Sequence, residues 1–129
     1  EFLHLNYMIF KKATRYFMVF FYAAAGLAHF FTPSFFLAIV PPSLPLPLVL
    51  VYISGFFELL FGIALLTKYK KWGAYGLILL LIAVFPANIY LAISPEAQEA
   101  LETSKQMAIL RLPFQFLFIG IAYWHSKKD

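Results

Sequence analysis

With 129 residues, 63% of them hydrophobic, 20% aromatic and only 12% charged, the chain lies outside the range of soluble domains, which carry about 25% charged and about 45–50% apolar residues. No Asp, Glu, Lys or Arg occurs between Arg15 and Glu58, a stretch that no core of a chain this short could bury in water, so the composition points to a single membrane domain of a few spans with no room for a separate enzyme domain. The lack of cysteine excludes thiol–disulfide exchange, thiolate zinc sites and iron–sulfur clusters, and the net charge of +4 reads as the basic loops of a membrane protein in place of a nucleic-acid surface.

Residues 1–7 read as a remnant of expression or processing ahead of Met8 and are set aside from the functional argument. Lys11, Lys12 and Arg15 lead into an aromatic, Ala-rich first span over 13–31. Five of the eight prolines then fall between Pro33 and Pro47, which ends the helix. Thr32 before Pro33 suits the cap of a short helix through about Ile39. The rest is an extended, apolar loop that belongs at the interface or in the membrane.

A second span is expected over 46–67, interrupted only by Glu58 and closed by Lys68, Lys70 and Lys71. The third, 72–93, carries Pro86 as an expected kink. Ser94 is placed to cap a short polar helix with Pro95 in its first turn and Glu96 near its positive end. A fourth span, 106–125, contains Arg111 and Gln115 and closes on Lys127 and Lys128. In a four-span arrangement Lys11, Lys12, Arg15, Lys68, Lys70, Lys71, Lys127 and Lys128 share one side and only Lys105 lies on the other. The expected fold is therefore all-α, an integral membrane four-helix bundle with both termini cytoplasmic and a proline-rich outer loop. Trp72 and Trp124 fall at the cytoplasmic boundary, where an aromatic belt belongs.

Small residues mark where helices can approach closely: Gly26 on the first span, Gly55 and Gly62 with Ser54 on the second, Gly73 and Gly76 on the third. Polar residues inside the spans fall in two tiers. His29, Asn88 and Arg111 lie roughly 6–9 Å below the outer boundary, and Glu58 and Gln115 roughly 15–18 Å below it. A charge near a helix centre costs about 2.5–3.5 kcal/mol or more, so Glu58 and Arg111 should face inward. Arg111 and Gln115, four apart, share a face, and Glu58 shares one with Gly55 and Gly62, which suits the second and fourth spans meeting around Glu58, Gln115 and Arg111.

Two readings of these residues stand side by side. Glu58 with Arg111 is either a structural ion pair that fixes helix register or part of a ligand or proton site. His29 reads as a hydrogen-bonded interior histidine ahead of a metal ligand, and haem lacks a second histidine at its depth. Asn88 reads as a helix–helix hydrogen bonder that also serves carbonyls freed by Pro86. Zincin spacing, a phosphate-binding glycine loop and a Gly-x-Ser-x-Gly elbow are all absent from the sequence, so no catalytic residue, metal site or cofactor is assigned and the chain reads as a non-enzyme.

The run Gly26-Leu27-Ala28-His29-Phe30 with Pro33, then Val40-Pro41, Ser54-Gly55-Phe56-Phe57-Glu58 with Gly62, Phe85-Pro86-Ala87-Asn88-Ile89-Tyr90, and Arg111-Leu112-Pro113-Phe114-Gln115 resembles the DoxX-like family of small bacterial four-helix membrane proteins, from about Phe17 to Trp124. The resemblance implies a multi-pass protein of the bacterial cytoplasmic (inner) membrane with both termini cytoplasmic. The family takes its name from a membrane subunit associated with a thiosulfate:quinone oxidoreductase, while other relatives are linked to membrane-associated oxidative-stress complexes or receptor-channel assembly. One fold with several roles transfers no single activity. The expected function is a non-catalytic membrane module. Its outward-side polar pocket of His29, Glu58, Asn88, Arg111 and Gln115 would bind a lipid-like or quinone-like molecule or a partner membrane protein, and the expected partners are membrane lipids, a hydrophobic small molecule, and a membrane protein or further copies in a homo-oligomer. The alternatives are a membrane subunit of a quinone-linked oxidoreductase complex, a transporter or proton pathway, and a purely structural bundle.

Overall fold

The computed structural model describes residues 1–128 and is all-helical, with no strand among them. Its elements are α1 (Phe2–Phe31), α2 (Pro33–Leu37), α3 (Pro47–Ala64), α4 (Lys70–Ile93), α5 (Pro95–Ala100) and α6 (Lys105–His125). Three of them, α3, α4 and α6, are long and apolar enough to cross a membrane. The other long helix, α1, carries Lys11, Lys12 and Arg15 in its first half. Large apolar side chains crowd the outside, among them Phe20, Phe31, Leu79 and Ile93, each more than two-thirds exposed. That distribution suits hydrocarbon surroundings and would be costly in water.

Helix boundaries follow local chemistry. α1 begins well before the expected residue 13, because the segment ahead of it holds neither glycine nor proline to stop a helix. Residues 2–7 are part of that helix, and Tyr7 accepts a 2.8 Å hydrogen bond from the Trp124 indole. α3 stops at Ala64, short of the expected 67. Leu65, Leu66 and Thr67 donate three residues back, which tightens the chain into turns, and the Thr67 hydroxyl bonds Ala64 O at 2.8 Å. Thr32 precedes α2 but its hydroxyl turns back to Ala28 O, and α2 ends at Leu37 instead of Ile39. Ser94 does cap α5, accepting from Ala97 N at 3.2 Å, and Ser104 caps α6 in the same way through Met107 N. Between Pro45 and Pro47, Leu46 adopts a left-handed φ of 51°, a conformation that a branched residue before proline rarely takes, and this turns the chain into α3.

α1 packs on α3, α3 on α4, and α4 on α6. The expectation that the helices bearing Glu58 and Gln115 meet around those residues is therefore corrected. The small-residue face of α3 is taken by α1, and the partner of α6 is α4. The reason is backbone proximity. A Cβ on Gly26 would lie 2.8 Å from Gly55 O and 2.9 Å from Leu59 N, and one on Gly55 would lie 2.9 Å from Gly26 O and collide with the His29 Cβ. Only two glycines let these backbones touch. The α3–α4 contact repeats the device, with a Cβ on Gly73 falling 2.8 Å from Phe61 O.

The first and last helices close on each other through side chains. Phe21 stacks on Phe118 at 5.3 Å, Thr14 Oγ1 bonds His125 Nε2 at 2.9 Å, and buried Lys11 donates to Lys127 O and Lys128 O, capping the end of α6. Arg15 and Lys70 line one crevice at this end with Tyr16 and Thr67. The basic segments that the sequence assigns to one side thus converge.

Gly55→Ala should lower the melting temperature in detergent by an amount equivalent to about 1–3 kcal/mol through overpacking. Gly120→Ala, with nothing within 4 Å of the added methyl, should be neutral or stabilising by up to about 1 kcal/mol. Equal melting temperatures for the two variants would contradict the close-approach account.

Candidate functional site

His29 lies in the last turns of α1, on the face that includes Tyr22, Ala25 and Gly26. It is buried because Gly55 leaves room for its Cβ. Its Nδ1 sits 2.6 Å from Ala25 O, and since a carbonyl only accepts, Nδ1 carries the proton and donates. Nε2 then faces Glu58 Oε2 at 3.5 Å. That contact is attractive only when one further proton is held by the pair, on the imidazole or on the carboxyl. Phe36 lies flat over the imidazole, ring centroids 3.7 Å apart and planes 16° from parallel, so the proline-rich segment covers the pair directly.

Glu58 reaches His29 because it follows Gly55 by three residues on the face of α3 turned to α1. The expected Glu58–Arg111 ion pair is not formed, because Arg111 sits on α6, which packs on α4 and away from α3. Arg111 is an exposed side chain, against the expectation of an inward-facing charge, and among the described residues it makes no ion pair.

Gln115 is buried between α6 and α4. Its Nε2 donates to Leu81 O and its Oε1 accepts from Asn88 Nδ2. Pro86 has no N–H to offer the carbonyl four residues back, and its ring crowds that turn. α4 nevertheless runs through Pro86 without a break; the Asn88 amide, expected to serve a carbonyl freed by the proline, bonds Gln115 instead, and Gln115 bonds Leu81 O, one residue before the carbonyl that Pro86 leaves without its donor.

Beneath the proline-rich segment lies a cavity of about 480 Å³. Phe21, Phe35, Leu80 and Val84 represent its walls, which come from α1, the segment around α2, and α4, with α3 completing the enclosure. Four of the five polar residues singled out from sequence line it: His29, Glu58, Asn88 and Arg111. Gln115 does not, and serves as the support behind Asn88. Tyr22, which sequence reasoning missed, also lines the cavity, and its buried hydroxyl has no hydrogen-bond partner among the described residues. The signal was its spacing, seven residues before His29 and so on the same helical face. His125, at the opposite end from His29, is fully buried among the basic segments. No group of three or more metal-ligating side chains comes together among the described residues.

A family described as Domain of unknown function (DUF8561) matches residues 18–126. The chain belongs to that family. The match spans the cavity and every one of the polar residues above. No curated protein and no solved structure matches the chain.

Gln115→Leu removes two hydrogen bonds and leaves the Asn88 amide without its acceptor. It should destabilise the protein by about 1–2 kcal/mol in detergent. Asn88→Leu added to it should cost much less than its single effect, since both changes remove the same bond. Additive losses in a double-mutant cycle would show that the two side chains act separately.

Proposed function

We propose that the chain is a non-catalytic membrane module that holds a lipid-like small molecule in the cavity beneath its proline-rich segment. The observation that carries this reading is the cavity itself: about 480 Å³, within the about 300–1,000 Å³ range of small-molecule sites, with apolar walls and a few polar groups drawn from all four long helices. In this reading α1 joins α3, α4 and α6 as a fourth span of a four-helix bundle. Both termini lie on the cytoplasmic side of a bacterial inner membrane, and the cavity opens toward the outer half. The gathering of the basic segments at one end supports that orientation.

A second reading is favoured by the His29–Glu58 pair and by the DoxX-like pattern of the motifs around it. A quinone would fill the same cavity, with the proton held between imidazole and carboxyl next to it, in a subunit whose redox centre belongs to a partner. A partner membrane helix or a second copy of the chain is a further occupant of the same opening.

Native mass spectrometry of the protein extracted from membranes should show a retained small molecule. Ala87→Phe, which fills the cavity from its wall, should abolish retention while the thermal transition persists. Unchanged retention in that variant would contradict the proposal. Orientation is checked in this cysteine-free chain with single cysteines. Glu99→Cys should react with an impermeant maleimide on intact spheroplasts and Lys128→Cys only after lysis, and the reverse pattern would invert the topology.

A further inference from the structure

Arg111 is the one permanent cation among the residues that line the cavity, and it is the group whose charge the protein leaves unanswered. It lies within α6, a helix long and apolar enough to span a membrane, where an arginine is kept only with a counter-charge or a route to the headgroups. Glu58, the carboxylate lining the same cavity, is engaged with His29. Arg111 is both exposed and cavity-lining, so it stands where the cavity meets the surface. The inner part of the site has the opposite character: the Glu58 carboxyl, the Tyr22 hydroxyl and the Asn88 amide beside apolar walls.

We propose that the occupant of the cavity is an amphiphile with a single anionic head, bound through Arg111 at the mouth while its apolar chain lies against the walls. The inference rests on the cavity reading given above and adds the chemistry of the ligand's head. A guanidinium offers a planar fork of donors that a carboxylate or phosphate meets with two parallel hydrogen bonds. The inner part of the site offers no such charge, because the His29–Glu58 pair with its shared proton is neutral overall, and among the lining residues only Arg111 at the mouth carries a permanent positive charge for the head. A neutral chain of the same length would fill the walls equally well and leave Arg111 unpaired.

The test uses the full chain in phosphatidylcholine nanodiscs at pH 8, with oleate and oleyl alcohol as probes that share a chain and differ in the head. Competition against a fluorescent fatty acid should give oleate about tenfold tighter binding than the alcohol, the scale of one charge-assisted pair. Arg111→Gln should reduce that difference to about twofold or less without weakening the alcohol, and Arg111→Lys should keep part of it. A parallel arm identifies the source of the head. Selective retention of phosphatidylglycerol over phosphatidylcholine by native mass spectrometry, lost in Arg111→Gln, supports the same assignment with a phosphate of the bilayer as the anion. Equal binding of oleate and alcohol with equal retention of the two phospholipids overturns the head-group assignment and leaves the cavity reading standing. An oleate preference that survives Arg111→Gln overturns it as well. Failure of both chains to bind, with neither phospholipid retained, overturns the assignment and the cavity reading together.

Discussion

The contact of α1 with α3 at Gly26 and Gly55 is the constraint from which the rest of the arrangement follows. Backbone atoms of one helix lie where a methyl group of the other would have been, and this proximity sets both the depth and the rotation of the pair. Once it is made, His29 has one place to go, against the bare backbone of Gly55, and Glu58 one turn further along α3 faces it. The connection between the two helices must then cross over the same spot. Phe36 arrives on the imidazole, and the segment as far as Leu44 roofs the cavity. A packing device in two glycines thus determines which polar groups meet and which apolar residues enclose them.

Much of this was legible in the sequence. Element types and order follow from composition, from the proline cluster at 33–47 and from the placement of Lys and Arg. The two tiers of polar residues contained His29, Glu58, Asn88 and Arg111 of the cavity lining, included Gln115 from behind it, and left out Tyr22 and Ser54. What did not follow was pairing. Amphipathic spacing tells which residues share a face of one helix and says nothing about which neighbouring helix meets that face. Glu58 and Arg111 looked like natural partners by charge, yet charge complementarity between two side chains is weaker than the backbone contacts that decide adjacency. α6 ended on α4, and Gln115 with it. Tyr22 was hidden for another reason: among eight tyrosines and sixteen phenylalanines, its spacing from His29 does not stand out until its hydroxyl is seen buried.

Proline in the middle of α4 shows how cost and function share residues. The helix gives up a backbone donor at Pro86, and an amide side chain from the neighbouring helix bonds the adjoining turn. That amide is itself oriented by Asn88, whose other flank faces the cavity. The wall of the site and the α4–α6 contact beside the proline turn are therefore one hydrogen-bonded unit. This is why Gln115 belongs to the architecture of the site although it touches no part of the open space.

The Lys11 ammonium, closed over the carbonyls of Lys127 and Lys128, has a mechanical meaning. It joins residues more than a hundred positions apart in sequence and acts as a clasp between the first helix and the last. A bundle fastened at one end and roofed at the other by an irregular, proline-broken strap has unequal compliance along its length. The polar fastenings between the first and last helices gather at the clasped end, and the cavity lies under the strap at the other.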